Sequence, residues 1–573
     1  MFTKIQKRDG TFEDFSLEHF TNAVESAASA VNENIDAYKI ARDALTILEG
    51  QHSDTSITTV EDALDALEIS LMKNGHVNVA KAFIIYRNHH NRTREQNSVF
   101  TKAIDNVSLN FEIRGNAAEW LWEVAHTSSY YYTLYKILPQ RISHYFTENY
   151  IWIHGLPYFG RTLRNISYNL HEIFNSTYFE QRNMNPAKRV NVLVNHILQL
   201  MESIHDDIGG EQVYNHFDTS IEKLINRLPQ NPTKAEIQQA AEYFIYALNN
   251  KSRSHTSNTI TGPCLNIGLE QGENSRIFIK YMIKTIDQIN LSHRNNIASP
   301  SISYILHDEV NCNEDAPNYD IFISVLNLAA KRGNITFTRE QDKVTFSSGY
   351  NNEVNQSVNL QLTLNLPKIA LNSKGNFYDS FHNVINVVEE IVTLNQEMLS
   401  GKDVDNFPTI SKLPINNQLY DSSEKFSKLL ERGQTVIAIT GLVEAIKILN
   451  PEANFTEISS LAEELLTKIK KRIYLQNKEY KLMVSNDMKI TNGLFNGERQ
   501  RPILSQKGIT QYSTGISILP NGYSVKDRIE IEKSLYSDFD IPVPVIIQKE
   551  KGRDEILDGI NVSRDLNVNI LIR

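Results

Sequence analysis

An α/β body behind a small, mainly helical N-terminal module is the fold class this sequence predicts, and three observations predict it. From about residue 116 to Arg573 helical stretches alternate with short apolar runs, the pattern of α/β layers. Residues 1 to about 92 carry one hairpin signal and then only helical spacing. The 573 residues are 41% hydrophobic and 22% charged, which is ordinary for soluble domains with a large buried core.

The N-terminal elements follow in order. Phe2 to Lys7 predicts a short strand, Asp9-Gly10 a tight turn, and Phe12 to Phe15 the return strand. Ser16 is the expected N-cap of a helix from Leu17 to about Val31, with Phe20, Val24 and Ala27 at helical spacing. Helices are expected near Ala37–Leu48, Thr59–Lys73 and Val77–His89. Thr58 or Thr59 caps the third, with Glu61 and Asp62 near its positive end. Residues 93 to 115 are polar and weakly periodic, so they are expected to form a linker, followed by the body at 116–573. There Val358–Leu366, Thr435–Thr440 and Ile516–Leu519 are strand candidates, and Asn376–Leu399 is a long helix. No internal repeat or low-complexity segment interrupts them.

Composition narrows the function. A net charge of −10 argues against nucleic acid as a partner but leaves free nucleotides open, because one small basic pocket suffices for them. No run of about 18 apolar residues predicts a membrane span. The first ten residues lack a signal-peptide core, so the cytoplasm is the expected location. The two cysteines, Cys264 and Cys312, exclude a disulfide framework and any four-thiolate zinc site, so no metal is expected.

Lys7-Arg8-Asp9-Gly10 places two adjacent cations on a tight turn ahead of a helix. Arg offers a planar fork and Lys a point charge to a polyphosphate, and the helix near Ser16 adds its dipole. A solvated basic turn is the bland alternative. With Phe15, the following helix and Ala80-Lys81-Ala82-Phe83-Ile84-Ile85-Tyr86-Arg87, the module resembles from end to end an ATP-cone, the regulatory ATP/dATP-binding unit of ribonucleotide reductases. The resemblance covers residues 1–92 and implies ATP or dATP as ligand. It implies that Ile5, Lys7 and Arg8 contact the nucleotide, the cations on phosphates. Glu13, Ser16 and His19 would line the pocket, Thr58 would sit beside it, and Lys81 would reach the phosphates. His19 stands where lysine is usual, and an unperturbed histidine is mostly uncharged at neutral pH.

The rest resembles, block after block in order, the large subunit of anaerobic (class III) ribonucleotide reductase. The blocks are Tyr150-Ile-Trp-Ile-His154-Gly-Leu-Pro-Tyr158, then Ile208-Gly209-Gly210, matched to a helix start, and Thr261 to Gly268, matched to a barrel strand. Asp315-Ala-Pro-Asn-Tyr-Asp320 with Ala329-Ala-Lys-Arg332, Leu364 to Leu371, and Gly433 to Glu444 complete them. Each has a plain structural alternative. In those alternatives Pro367 only ends a strand, Gly441 only opens a helix, and His154 is a satisfied core histidine.

The resemblance implies a ten-stranded α/β barrel of two antiparallel five-stranded halves, threaded by a finger loop with a cysteine at its tip. It also implies a glycyl radical near the C-terminus, a partner cysteine on a strand, and a zinc site of four cysteines. The family mechanism needs a thiyl radical to take hydrogen from the ribose 3′ carbon. Here no cysteine lies between Arg332 and Leu364, and Ile166 stands where the partner cysteine falls. The chain ends at Asn569-Ile-Leu-Ile-Arg573, about where the zinc and radical motifs begin in that family. The expected function is therefore a nucleotide-binding, catalytically inactive regulatory or scaffold homologue, with no catalytic residue. Thr440, Gly441 and Leu442 would be a vestigial substrate-phosphate site, and a homodimer and a reductase-system partner protein are expected. Alternatives are a working ribonucleoside-triphosphate reductase using a partner chain, a purely structural interaction protein, or a new chemistry in the barrel.

Overall fold

In the computed structural model of the chain, the two arms flanking Asp9-Gly10 pair antiparallel. Strand β1 (Lys4–Gln6) meets β2 (Phe12–Asp14) with Ile5 opposite Glu13. The structure describes residues 4–6, 12–51, 58–114, 117–176, 178–181, 183–250, 262–289, 300–339, 342–346, 351–352, 356–373, 375–414, 424–516, 524–536, 538–541, 544–564 and 568–573. The chain divides into two compact units, Met1–Leu109 and Asn110–Arg573.

In the first unit, helices α1 (Leu17–Ala30), α2 (Ala37–Gln51), α3 (Val60–Lys73) and α4 (Val77–Arg114) follow the hairpin. Ser16 occupies the N-cap of α1 in extended conformation, although its side chain makes no capping bond. Thr59 caps α3 through a full capping box with Asp62. The apolar stripes of α1, α2 and α3 close on one core that includes Phe20, Val24, Ile40, Leu48, Leu67 and Leu71.

Helix α4 corrects the reading of residues 93–115 as an irregular linker, because it continues unbroken to Arg114. Its Lys, Arg, Glu and Gln residues are good helix formers but mark no apolar face, so periodicity had no signal to offer there. Arg87 on α4 gathers Glu61 and Asp65 (2.5 Å each) and Glu68 (2.8 Å), the outer face of α3.

In the second unit the main sheet contains β3 (Ile151–Ile153), β4 (Asn165–Asn169), β5 (Gln212–Asn215), β6 (Cys264–Ile267), β7 (Ser301–Ile305) and β8 (Ile335–Thr338). A small hairpin follows, β9 (Val344–Thr345) with β10 (Asn351–Asn352). The sheet resumes with β11 (Ser357–Asn365), β12 (Gln434–Thr440), β13 (Tyr480–Val484), β14 (Val545–Ile547) and β15 (Ile570–Ile572). Its order is β13-β12-β11-β4-β5-β6-β7-β8-β15-β14, with β3 also against β11.

Strands β4 to β8 are mutually parallel, as are β11 to β13 and the pair β14–β15. The two sets meet antiparallel at β4–β11 and β8–β15. This is the expected ten-stranded barrel of two five-stranded halves. It is curled, because Val213 of β5 and Cys264 of β6 share one apolar cluster with Val436 and Ala438 of β12 and Met483 of β13. The backbone N–H groups of Asp540 and Ile541 donate to the Leu482 carbonyl, bringing the chain alongside β13 shortly before it enters β14.

The strands alternate as a barrel requires. Ile166, Tyr168, Tyr214, Leu265, Ile267, Ile302, Tyr304, Ile335 and Phe337 face one helical layer. Leu360, Leu362, Leu364, Ile437, Ile439, Leu482 and Val484 face another.

Three sequence expectations shift. Gly209-Gly210 does not start a helix. It joins the end of helix Val190–Asp207 to β5, where a Cβ on Gly210 would meet the Arg164 carbonyl oxygen at 2.2 Å. The strand expected at Ile516–Leu519 does not include Ile516, and its other residues lie outside those described. The long helix runs Phe377–Ser400, with the Asn376 side chain as its cap.

Candidate functional site

The hairpin and two helices of the N-terminal unit enclose a cavity of ≈ 140 Å³. Its walls include Ile5, Glu13, Ser16 and His19, four of the residues singled out from sequence. Antiparallel register explains the pairing of Ile5 with Glu13, and one helical turn separates Ser16 from His19.

Asp14, Phe15, Phe20, Ala23, Val60, Ala63, Leu64 and Leu67 complete the lining. The α3 residues among these were not singled out from sequence, but the stripe Val60, Ala63, Leu64, Leu67 at helical spacing turns its face to the cavity. Such a chamber, apolar with a few polar groups at its rim, suits a flat base with a polar substituent.

Thr58 is buried, and its carbonyl accepts the Gln6 N–H at 2.9 Å, one residue from Ile5. Among the described residues its hydroxyl has no hydrogen-bond partner. Lys81 is exposed on α4 and is not among the lining residues. Lys7 and Arg8 lie outside the described residues.

In the barrel, period-two alternation turns Asn215, Cys264, Asn266, Ser303 and Thr336 inward, opposite to the outward residues named above. Asn266, Ser303 and Thr336 are register partners on β6, β7 and β8. This inner row is uncharged. Among the described residues the Asn215 Oδ1, Ser303 and Thr336 oxygens have no hydrogen-bond partner, and all three residues are buried. The loop after β8 enters this space, with Val344 and Phe346 wholly buried in the cluster that contains Cys264. Cys264 is therefore a core thiol inside the barrel, and burial, with Glu211 nearby, pushes its pKa well up. Cys312 is half-buried, with its Sγ 3.3 Å from the Asn311 Oδ1. Two cysteines do not fit a four-thiolate zinc site.

His154 is buried and shares a hydrogen bond with Thr363 of β11 at 2.8 Å, a satisfied core position. Burial and nearby Arg164 push its pKa well down. Asn365 caps the helix Leu366–Leu371 through the Lys368 N–H. Buried Lys368 in turn pairs with buried Glu498 at 3.1 Å.

Thr440, Gly441 and Leu442 lie together where β12 meets the helix Leu442–Leu449. Gly441 has φ +71°, and a Cβ there would strike Pro367 at 2.4 Å. Leu442 is buried, and the Thr440 hydroxyl is 3.4 Å from that of Thr491. A carboxylate already faces this helix start. Glu444 accepts from the Ser513 hydroxyl at 2.5 Å and from its N–H at 3.1 Å, while Oε2 has no partner among the described residues.

Burial raises the Glu444 pKa, and the Ser513 bonds only partly oppose it. A raised carboxyl binds more protons in the folded state, so it costs stability as pH rises from the unfolded through the folded pKa. Glu444→Gln is expected to raise Tm at pH 8, with the gap closing as pH approaches the usual carboxylate range. Equal or lower Tm for the variant at pH 8 would contradict this.

The family model described as anaerobic ribonucleoside-triphosphate reductase matches residues 110–487. The chain belongs to that family. The ATP cone domain model matches residues 3–92, so this reductase-family chain carries an N-terminal ATP-cone. Among curated proteins it is similar to the anaerobic ribonucleoside-triphosphate reductase of Haemophilus influenzae. The two are 23% identical over 529 residues, covering 80% of this chain and 72% of that one.

Among solved structures it resembles the anaerobic ribonucleotide reductase of Thermotoga maritima. With citrate in its active site, that protein matches at TM-score 0.62 and 13% identity, over 84% of this chain and 93% of the other. The complex with dATP and CTP matches at 0.62 and 15%, over 85% and 90%. These structural likenesses carry the barrel fold. Among the described residues no helix is long and apolar enough to cross a membrane.

Proposed function

We propose that this reductase-family chain binds ATP or dATP as an effector in its N-terminal unit and has lost the ancestral radical chemistry, its barrel serving as a regulatory or scaffold body. The observation that carries the binding half is the cavity that unites Ile5, Glu13, Ser16 and His19. In this reading the base enters among Phe20, Ala63 and Leu64, and Lys7 and Arg8 take the phosphates. Lys81 and Thr58 act from the periphery. The Thermotoga reductase, solved with dATP in its specificity site, lends support to nucleotide binding in the family.

The inactive half rests on sulfur. No cysteine lies between β8 and β11. Ile166 faces outward and so does not stand in for an interior thiol, but β4 carries no cysteine on its inward face either, where Asn165, Ser167 and Asn169 alternate with it. The vestigial phosphate role of Thr440, Gly441 and Leu442 belongs to the same reading. So do a homodimer, a reductase-system partner protein and a cytoplasmic setting.

One observation favours a second reading, a working reductase. The Cys264 thiol lies inside the barrel, 3.6 Å from the carbonyl of Thr345 on the entering loop.

Calorimetry and melting of the full chain with ATP and with dATP test the first half. A rise in Tm at millimolar nucleotide is expected, and no heat and no shift would overturn it. Sizing with and without dATP tests the dimer. An anaerobic assay of deoxynucleotide formation separates the two readings. No product is expected, whereas product that disappears with Cys264→Ser establishes the second.

A further inference from the structure

The loop between β8 and β11 is tied to the barrel by a side chain acting as a strand. Asn266 of β6 accepts the Thr345 N–H on Oδ1 at 2.7 Å and donates from Nδ2 to the Thr345 carbonyl at 2.7 Å. The carboxamide thus supplies both halves of a peptide rung. Its orientation is forced, because the N–H needs an acceptor and the carbonyl a donor. Both residues are fully buried, so neither set of polar groups has water to turn to if its partner is lost. The Cys264 Sγ lies 3.6 Å from the same carbonyl.

Among the described residues the loop has further ties toward its two ends. Its own ladder, β9 with β10, is two residues long. At its base Arg339 pairs with partly exposed Asp308 at 3.2 Å, and at its return Gln356 exchanges bonds with Ser167 at 3.1 and 3.2 Å. An exposed ion pair contributes little. Between these ends, Val344 and Phe346 fill the space against Val213, Val358 and Met483.

We propose that Asn266 is a latch that seats Val344–Phe346 inside the barrel and thereby shuts Cys264 and the inner polar row off from solvent. The inference is independent of whether nucleotide binds the N-terminal unit. With the latch broken, the strap loses its paired rung at Thr345, and the thiol becomes reachable without unfolding of the barrel.

The test uses the full chain in a Cys312→Ser background, leaving Cys264 as the one thiol. Labelling by a small maleimide is timed with and without Asn266→Ala. The variant is expected to label roughly tenfold faster or more, the order set by losing two buried hydrogen bonds. Below the onset of unfolding, that rate is expected to be flat in urea, as local opening exposes little surface. An unchanged rate, or one that climbs with urea along the global unfolding slope, would overturn the latch.

Should the variant not fold, hydrogen exchange on the unsubstituted chain decides. The Thr345 amide is expected to be as protected as the β6 amides, and exchange at the pace of an exposed loop would overturn the proposal.

Discussion

Gly210→Ala is expected to destabilise the barrel unit by about 3 kcal/mol, because a backbone carbonyl that cannot swing aside is the nearest obstacle. The new Cβ would lie 2.2 Å from the Arg164 carbonyl oxygen and 2.4 Å from Asn165 Oδ1. That Oδ1 already accepts the Glu211 N–H at 2.9 Å, and Ile166 N–H reaches the Glu211 carbonyl at 3.0 Å. These bonds start the β4–β5 pairing, so the methyl group must pry apart the first rung of the parallel half-barrel. The measurement is the urea midpoint of the barrel unit, followed by a signal distinct from that of the N-terminal unit. Gly493→Ala is the matched comparison. It sits within helix Met488–Asn496 with nothing within 4 Å of its added Cβ, and is expected to be neutral or stabilising by up to about 1 kcal/mol. Equal midpoints for the two variants would refute the close-packing account.

Replacing Lys7 and Arg8 together with alanine is expected to weaken ATP and dATP binding by about a hundredfold or more. A hydrogen bond to a charged group contributes roughly 1.5–3 kcal/mol, and two would be lost. The cavity wall is apolar apart from Glu13, Asp14, Ser16 and His19, so it offers a base somewhere to stack but little to neutralise phosphates. Two of those polar residues are acids, which sharpens the need for cations beside them. Titration of the double variant by calorimetry gives the answer, with unchanged Tm in the absence of nucleotide as the check on folding. Affinity within a factor of about three of the parent, which is under 1 kcal/mol, would remove the turn from the site and favour a purely structural role for this unit.

Legibility differed between the two units for a physical reason. In the N-terminal unit, Ile5, Glu13, Ser16 and His19 converge because short-range geometry places them, through one antiparallel register and one helical turn. Those periods are visible in the chain itself. The cavity's far wall on α3 was not legible as a wall, since Val60, Ala63, Leu64 and Leu67 look the same whether they face a core or an opening. Helix α4 was cut short in the reading because polar helix formers leave no period to find.

In the barrel, β11 and β12 were visible as apolar runs, and alternation in Cys264-Leu265-Asn266-Ile267 already puts the thiol and the carboxamide on one face. Which face points inward was not decided by that pattern.

From the residues alone came the α/β class, the two-part organisation, the absence of cysteine between β8 and β11, and the likeness to the reductase family. These depend on residue identity and on spacings of a few positions, which a linear chain displays directly. The tertiary structure alone decided that Gly209-Gly210 is a packing point and not a helix start, that Ser513 hydrogen-bonds the Glu444 carboxylate in the helix after β12, and that Cys264 stands inside the barrel beside an entering loop. Each of these is a contact between segments dozens to hundreds of residues apart, created only when the sheet curls and one set of alternating side chains is enclosed.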